Sequence, residues 1–120
     1  IVFRDFPLDQ HPRATAAAIA AQCANQQGKF WEFHDLLFAN SNALEDDDFD
    51  KYALQVGLKR ASFKDCRANP QVSGIVQENK ALGVKYGVEG TPAIYINGIK
   101  LVGLLPLPLI QAIIDKEIGE

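Results

Sequence analysis

Residues 87–98, GVEGTPAIYING, and the IKLV that follows at 99–102 carry the strongest structural signal in the sequence. The Asn97-Gly98 dipeptide accepts the positive backbone angles of a tight hairpin turn, and β-branched or aromatic residues flank it on both sides. The pattern predicts two antiparallel strands, 93–96 and 99–102, joined at this turn.

The proline at the mouth of the first strand is the next feature. Pro92 cannot donate to a strand ladder, so it belongs at the first residue of a strand or at an edge. Because Gly90 and Thr91 precede it in a tight entry, the Thr91–Pro92 bond is a candidate cis peptide. Such a turn would leave backbone groups of Thr91 free to bind an extended peptide. A trans proline that begins the strand fits equally well, so the residues alone leave both isomers open.

Hydrophobic residues recur at helical spacing through most of the chain before residue 87. The predicted helices are Arg13–Asn25, Lys29–Ala39, one between the acidic run 45–48 and Gly57, Ser62–Ala68, and one from Pro70 toward Gly83 and Gly87. Ile1–Phe6 predicts a strand that Pro7 ends, and a last helix begins at Pro106 or Pro108. The order is strand, five helices, hairpin and helix, an α/β layout.

Composition excludes several classes of protein. The 120 residues suit one domain, and 48% hydrophobic residues are typical of a folded chain. Twelve Lys and Arg against 15 Asp and Glu give a net charge of −3, which argues against a nucleic-acid partner. The longest apolar run, 101–114, is interrupted by Gly103, Pro106 and Pro108 and is shorter than the roughly 18 residues of a membrane span.

The two cysteines, Cys23 and Cys66, are 43 residues apart on apolar helix faces. This spacing excludes a CxxC motif and a zinc site built from cysteine alone. A structural disulfide, which would indicate an oxidising compartment, a pair of buried free thiols and a second redox pair all stay open. Two histidines, His11 and His34, do not make a metal site, and the sequence has no nucleotide-binding fingerprint, so we expect neither metal nor cofactor.

Two clusters receive structural interpretations. The run Glu45–Asp48 lacks the alternating ligands and central glycine of a calcium loop, and it is predicted to cap the helix that follows. Phe30 and Trp31 are predicted to fill the gap between helices rather than to form a binding cage. His34 is predicted to be a packing or surface residue.

The element order and four segments resemble the DsbA-like branch of the thioredoxin superfamily. The segments are VFRDFPLDQHP at 2–12, AAQCANQQGKFWEFHDLLFAN at 20–40, GVEGTPAIYINGIKLVGLLP at 87–106, and the closing helix. The resemblance implies an α/β thioredoxin-like, DsbA-type fold in a single partial domain, 1–120. Within it, 12–69 would be an inserted helical subdomain, and 1–7 with 85–120 the thioredoxin-core portions. It also implies that Pro92 is the cis-proline and that Gly90, Thr91 and Pro92 contact substrate.

The sequence departs from the family in one respect. Members carry a CxxC motif at a helix start, preceded by a central strand, upstream of the strand predicted at Ile1. Because this sequence has no Met and opens on Ile1, we expect it to be truncated, with no catalytic residue and no dithiol turnover of its own. The absent strand would lie between 2–6 and 93–96. We expect an upstream segment to supply it, a strand-swapped homodimer to supply it, or the two remaining strands to pair directly.

The resemblance implies a fragment of a periplasmic or otherwise exported thiol–disulfide oxidoreductase that exchanges disulfides with protein or peptide substrates. One alternative is a relative of the kappa-type glutathione transferases and isomerases, which usually carry Val where this chain has Thr91. The other is a redox-inactive thioredoxin-like module that binds peptides as a chaperone. The upstream sequence would separate these functions by showing a CxxC, a single Ser or Cys, or neither.

Overall fold

A computed structural model describes residues 2–96, 98–102 and 106–119, with Val102 described by its backbone alone. The elements in these ranges are α1 Ala14–Gln26, α2 Phe30–Ala39, α3 Asp46–Gln55, α4 Arg60–Arg67, α5 Pro70–Lys85, β1 Ala93–Ile96, β2 Ile99–Val102 and α6 Leu107–Glu117. The helices and the hairpin strands agree with the sequence-based prediction, with ends that move by one or two residues. The predicted turn residue Asn97, and Ile1 and Gly103 of the predicted segments, lie outside the described residues.

The chain divides into two compact units, one ending at Leu82 and the other beginning at Gly83. In the first unit, the alanine-rich face of α1 packs against α2 and α4, because small side chains let helices approach closely. Phe33 and Phe63 are fully buried, with ring centroids 5.5 Å apart, and Tyr52 lies against Phe33 at 6.3 Å. Each buried aromatic ring stabilises this helical core by about 1.5–3 kcal/mol.

The acidic run begins α3 as predicted. The Asp48 carboxylate accepts a hydrogen bond from the Glu45 N–H at 3.0 Å, and three acidic residues occupy the first turn of the helix. Asp46 also pairs with the Arg13 guanidinium, which joins the start of α3 to the start of α1. The cluster is therefore a helix start, because its carboxylates meet the free N–H groups and the positive end of the helix dipole.

The strand predicted at Ile1–Phe6 is wrong for its described residues, because residues 2–7 belong to no strand. β-branched and aromatic residues favour extended backbone, but a strand exists only where a neighbour completes its hydrogen-bonded ladder. The described residues of its own unit offer this segment no such neighbour. Side chains hold the segment instead, since Asp5 and Pro7 are buried.

The second unit is built on the hairpin. Its register pairs Ala93 with Val102, Ile94 with Leu101, Tyr95 with Lys100 and Ile96 with Ile99, and α6 contacts β1. No residue of α6 is buried. No helix in the described part of the chain is long and apolar enough to cross a membrane.

Candidate substrate-binding loop

The loop 88–92 joins the end of α5 to β1. At the helix end, the Val88 N–H donates to the Gly83 carbonyl at 2.9 Å, and the Gly87 N–H donates to the Val84 carbonyl at 3.1 Å. This is a Schellman motif, which needs a left-handed residue just beyond the helix, and Gly87 supplies it with φ +82°. The motif ends α5 and turns the chain toward the hairpin.

The predicted substrate-binding residues Gly90, Thr91 and Pro92 lie together in this loop, and all three are exposed. The Thr91–Pro92 peptide bond is cis, the isomer that the family resemblance implies. Within the described residues, the backbone N–H and C=O of Thr91 have no hydrogen-bond partner. An extended peptide laid beside Thr91 could satisfy both groups, as in strand addition at a sheet edge.

Two side chains that sequence analysis did not single out hold the start of this loop. The Tyr95 hydroxyl donates to the Tyr86 carbonyl at 2.9 Å, and the Lys100 ammonium donates to the Gly87 carbonyl at 2.6 Å. Their pairing could have been predicted from the sequence, because a hairpin that turns at Asn97-Gly98 places Tyr95 and Lys100 opposite each other. The sequence did not show which carbonyls they would reach.

Cys23 on α1 and Cys66 on α4 form a disulfide, with their Cα atoms 5.7 Å apart. The sequence left open a structural disulfide, two free thiols or a redox pair, and the structure shows a disulfide that links two helices. Cys23 is 1% exposed, and no other cysteine is present in the 120 residues. The bond therefore links α1 and α4 within the helical core.

An aromatic cluster lies at the surface of the first unit. Phe3 contacts Phe30 and Trp31, with ring centroids 5.2 and 6.0 Å apart. These three rings help line a cavity of about 380 Å³, whose polar lining includes Gln22 and Asn79. Trp31 is 46% exposed, so the prediction that it fills a gap between helices is wrong: its ring lies at the surface of α2, against Phe3 and Phe30. Phe30 does pack against the core.

His34 and Tyr52 have structural contacts. His34 packs between Phe3 and Phe38 and hydrogen-bonds to the Asp35 carboxylate at 3.1 Å, so it is a packing residue, as predicted. Burial raises the pKa of Tyr52, the Asp48 carboxylate raises it further, and the phenol donates to the Ala43 carbonyl. Among the described residues, no group of three His, Cys, Asp or Glu side chains could hold a metal ion.

Residues 1–115 match the DSBA-like thioredoxin domain family, which is nearly the whole chain. The chain belongs to this family. Its fold is accordingly DsbA-like and thioredoxin-like, with mostly helical content.

A solved structure supports the same assignment for this DsbA-like chain. It is similar to the crystal structure of a thioredoxin-like oxidoreductase from Silicibacter pomeroyi DSS-3, with a TM-score of 0.86 and 27% sequence identity. The superposition covers 99% of this chain and 68% of that protein.

Curated relatives of the DsbA-like chain carry a different name. It is 38% identical over 98 residues to Na(+)/H(+) antiporter NhaA 3 of Salinispora tropica and 34% identical over 116 residues to NhaA 1 of Salinispora arenicola. A third, NhaA of Herminiimonas arsenicoxydans, is 31% identical over 108 residues. The matches cover 81%, 96% and 90% of this chain but only 15%, 18% and 17% of those proteins. The chain therefore spans less than a fifth of these relatives.

Proposed function

We propose that this chain is the peptide-binding and helical part of a DsbA-like protein thiol–disulfide oxidoreductase. The exposed loop Gly90–Pro92, in which the Thr91 backbone has no hydrogen-bond partner among the described residues, is the observation that carries the proposal. Membership in the DSBA-like family over residues 1–115 supports it. We further propose that the chain is divided into an inserted helical subdomain, 12–69, and two thioredoxin-core portions, 1–7 and 85–120.

In the proposed mechanism, a substrate polypeptide lies extended beside Thr91, and its backbone pairs with the Thr91 N–H and C=O. This places a substrate cysteine next to a dithiol that lies outside the present sequence. In the oxidising direction, a substrate thiolate attacks the disulfide of that pair and forms a mixed disulfide. A second substrate thiolate then releases the oxidised substrate and a reduced dithiol. The role of the present chain is to bind and orient the substrate.

Two assays on the 120-residue protein test this function. We expect no turnover in insulin reduction, because neither cysteine is a free thiol. We also expect none in oxidation of a reduced dithiol peptide, because Cys23 of the one disulfide is 1% exposed and cannot be reached by a substrate thiolate. In an NMR titration, a fluorescein-labelled ten-residue peptide with one S-methylated cysteine should shift the amide signals of residues 88–91 and 93 and leave those of α1–α4 unchanged. Turnover without an added dithiol, or shifts confined to the helices, would contradict the proposal.

The same titration separates the alternative functions. A redox-inactive peptide-binding module would bind the peptide, and its full-length gene product would have no dithiol turnover either. A relative of the kappa-type glutathione transferases would instead respond to S-methylglutathione, because that tripeptide is their kind of ligand.

We also propose that the missing edge of the sheet is completed by a segment upstream of this chain or by a strand-swapped second copy. Unpaired strand edges promote association, because their free N–H and C=O groups can pair with another chain. Light scattering coupled to gel filtration tests this proposal. A dimer supports swapping, and a monomer that binds an added upstream peptide supports the other route. A monomer that binds no such peptide contradicts both.

We propose an exported, oxidising location, which the Cys23–Cys66 disulfide supports because such bonds persist in oxidising compartments. Quenching cells in acid and then alkylating in denaturant, which exposes the buried Cys23, should leave both cysteines unmodified until a reductant is added. Alkylation without reductant would place the protein in a reducing compartment.

A second candidate function rests on the curated relatives. Matches over 81–96% of this chain to a small part of three proteins named Na(+)/H(+) antiporter favour a DsbA-like module within an antiporter-type polypeptide. An antibody against the chain should then detect a membrane-bound product several times larger than 13.2 kDa. A product close to 13.2 kDa would exclude this candidate.

A further inference from the structure

The hairpin carries a pair of side chains that reach across to the end of α5. Tyr95 on β1 and Lys100 on β2 are direct partners in the antiparallel register. Their polar ends bind two consecutive carbonyls, since the Tyr95 hydroxyl lies 2.9 Å from the Tyr86 oxygen and the Lys100 ammonium 2.6 Å from the Gly87 oxygen. We call these two residues the Tyr95–Lys100 pair.

The two carbonyls lie just beyond α5, where the helix has no N–H group to bond them. The Schellman motif satisfies the carbonyls of Gly83 and Val84 and leaves the later ones without a donor from the helix itself. The phenol and the ammonium supply donors to the carbonyls of Tyr86 and Gly87, and the bond from Lys100 is charge-assisted and therefore the stronger. Both bonds are exposed, so neither is required to satisfy a buried group.

The pair fixes the geometry of the candidate loop. The start of the loop at Tyr86 and Gly87 is bonded to the face of the hairpin, and its end at Pro92 runs directly into β1. Residues 88–92 are thus held at both ends. A loop that already has its binding conformation binds more tightly, because an unrestrained loop is competent for only part of the time.

We propose that Tyr95 and Lys100 are positioning residues that hold residues 88–92 in the conformation that binds an extended polypeptide at Thr91. This inference rests on the proposed function of the loop. Neither side chain needs to touch the peptide, because each acts through the backbone of residues 86 and 87. The proposal assigns peptide binding to backbone pairing at Thr91, and part of the affinity to a hairpin contact outside the binding residues.

The test uses the full chain with single variants and matched controls. Tyr95→Phe removes the hydroxyl, and Lys100→Met removes the ammonium. Lys100→Arg keeps a charged donor. Tyr86→Phe is the matched tyrosine control, because it removes a neighbouring hydroxyl but keeps the Tyr86 carbonyl. Lys51→Met, at an exposed position of α3, controls for the loss of one positive charge.

Two measurements are made on each variant. One is amide hydrogen exchange of residues 88–91, and the other is the dissociation constant of the fluorescein-labelled peptide with an S-methylated cysteine. We expect Tyr95→Phe and Lys100→Met each to speed loop exchange and to weaken the peptide by roughly 5- to 10-fold. The thermal melt of α1–α4 should be unchanged. Lys100→Arg should stay within about twofold of the wild type, as should both controls.

Each outcome decides between the proposals. If the wild-type chain does not bind the peptide, the proposed function is overturned, and this inference falls with it. If the wild type binds and both variants bind equally well, the positioning inference alone is overturned. Weaker binding with unchanged loop exchange would also overturn it, because the side chains would then act by direct contact. A loss in Tyr86→Phe as large as in Tyr95→Phe would show that the carbonyl contact is not the cause.

Discussion

Asp5 is the residue that best explains how the N-terminal segment is held without a strand ladder. It is 4% exposed, and its Oδ2 accepts from Gln22 on α1 at 2.6 Å and from Asn79 on α5 at 3.2 Å. Arg4 adds a bond to the Asn79 side-chain oxygen at 3.3 Å. A buried carboxylate is tolerated only where such donors replace water. This network therefore ties residues 4 and 5 to two helices.

Asp5→Asn is expected to lower the free energy of unfolding by about 1–3 kcal/mol. The amide oxygen can still accept from Gln22 and Asn79, but the two bonds are no longer charge-assisted and are therefore weaker. Urea denaturation measures the change. Asp9→Asn is the matched control in the same segment, because the Asp9 side chain is 99% exposed and its bond to Lys80 is a surface pair. Equal effects of the two substitutions would contradict the role given to Asp5.

Tyr52 gives a prediction about pH. Burial and the Asp48 carboxylate raise the pKa of its phenol in the folded protein, so the folded state keeps the proton to higher pH than the unfolded chain. The associated stability is present below pH about 10, the usual pKa of tyrosine, and is lost as the pH rises through the folded pKa.

Tyr52→Phe should cost about 1 kcal/mol near pH 8, because the bond to the Ala43 carbonyl is lost. Above pH 10 the difference from the wild type should shrink. Urea denaturation from pH 8 to 11 measures both effects, with Tyr86→Phe, at a residue 62% exposed, as the control. A difference that stays constant across this range would disprove the linkage.

At the level of elements, the local sequence pattern predicted the helices and the hairpin correctly, but it predicted the first strand wrongly. A helix such as α2 satisfies its own backbone, so the spacing of Phe30, Phe33 and Leu37 was sufficient evidence. The Asn97-Gly98 pair placed β1 and β2 for a similar reason, because both partners lie within ten residues. The segment 2–6 has the same strand-forming composition, but no strand in the described part of the chain pairs with it. Composition does not report whether such a partner is present.

The candidate site shows the same limit: its local features were predictable from the sequence, and its contacts between distant residues were not. Gly90, Thr91 and Pro92 were found because a proline at a strand entry is visible in the sequence. The reach of Tyr95 and Lys100 to the carbonyls of residues 86 and 87 depends on how α5 ends relative to the hairpin, which is a three-dimensional relation. The pairing of Cys23 with Cys66 was one of three interpretations for the same reason, since it required two helices to meet.

The disulfide between α1 and α4 should be a major source of stability for the helical unit. Closing a loop of 43 residues stabilises the fold by roughly 3–4 kcal/mol in the chain-entropy model. The double variant Cys23→Ala/Cys66→Ala should therefore unfold at lower urea concentration by that free energy, with a similar effect from reducing the wild type. The double variant should not respond to reductant. A loss below about 1 kcal/mol would show that the two helices are held mainly by packing.

At the scale of the whole molecule, the two units differ in how much they bury. The unit that ends at Leu82 contains Phe33, Phe49 and Phe63, each at most 1% exposed. The unit that begins at Gly83 has a two-stranded hairpin and a helix, α6, with no buried residue. A lone hairpin is marginal in water, and segments with few buried apolar side chains open at low free energy.

Native-state hydrogen exchange should therefore separate the units. Amides of α1, α2 and α4 should exchange only through unfolding of the helical unit, whereas those of β1, β2 and α6 should exchange through openings that cost less free energy. Adding urea should shift the first group steeply and the second group weakly, because global unfolding exposes more surface than local opening. If the peptide binds at Thr91, it should protect β1 and leave α1 unchanged. Equal protection of both groups in the free chain would mean that the units unfold as one, and peptide binding would then stabilise both.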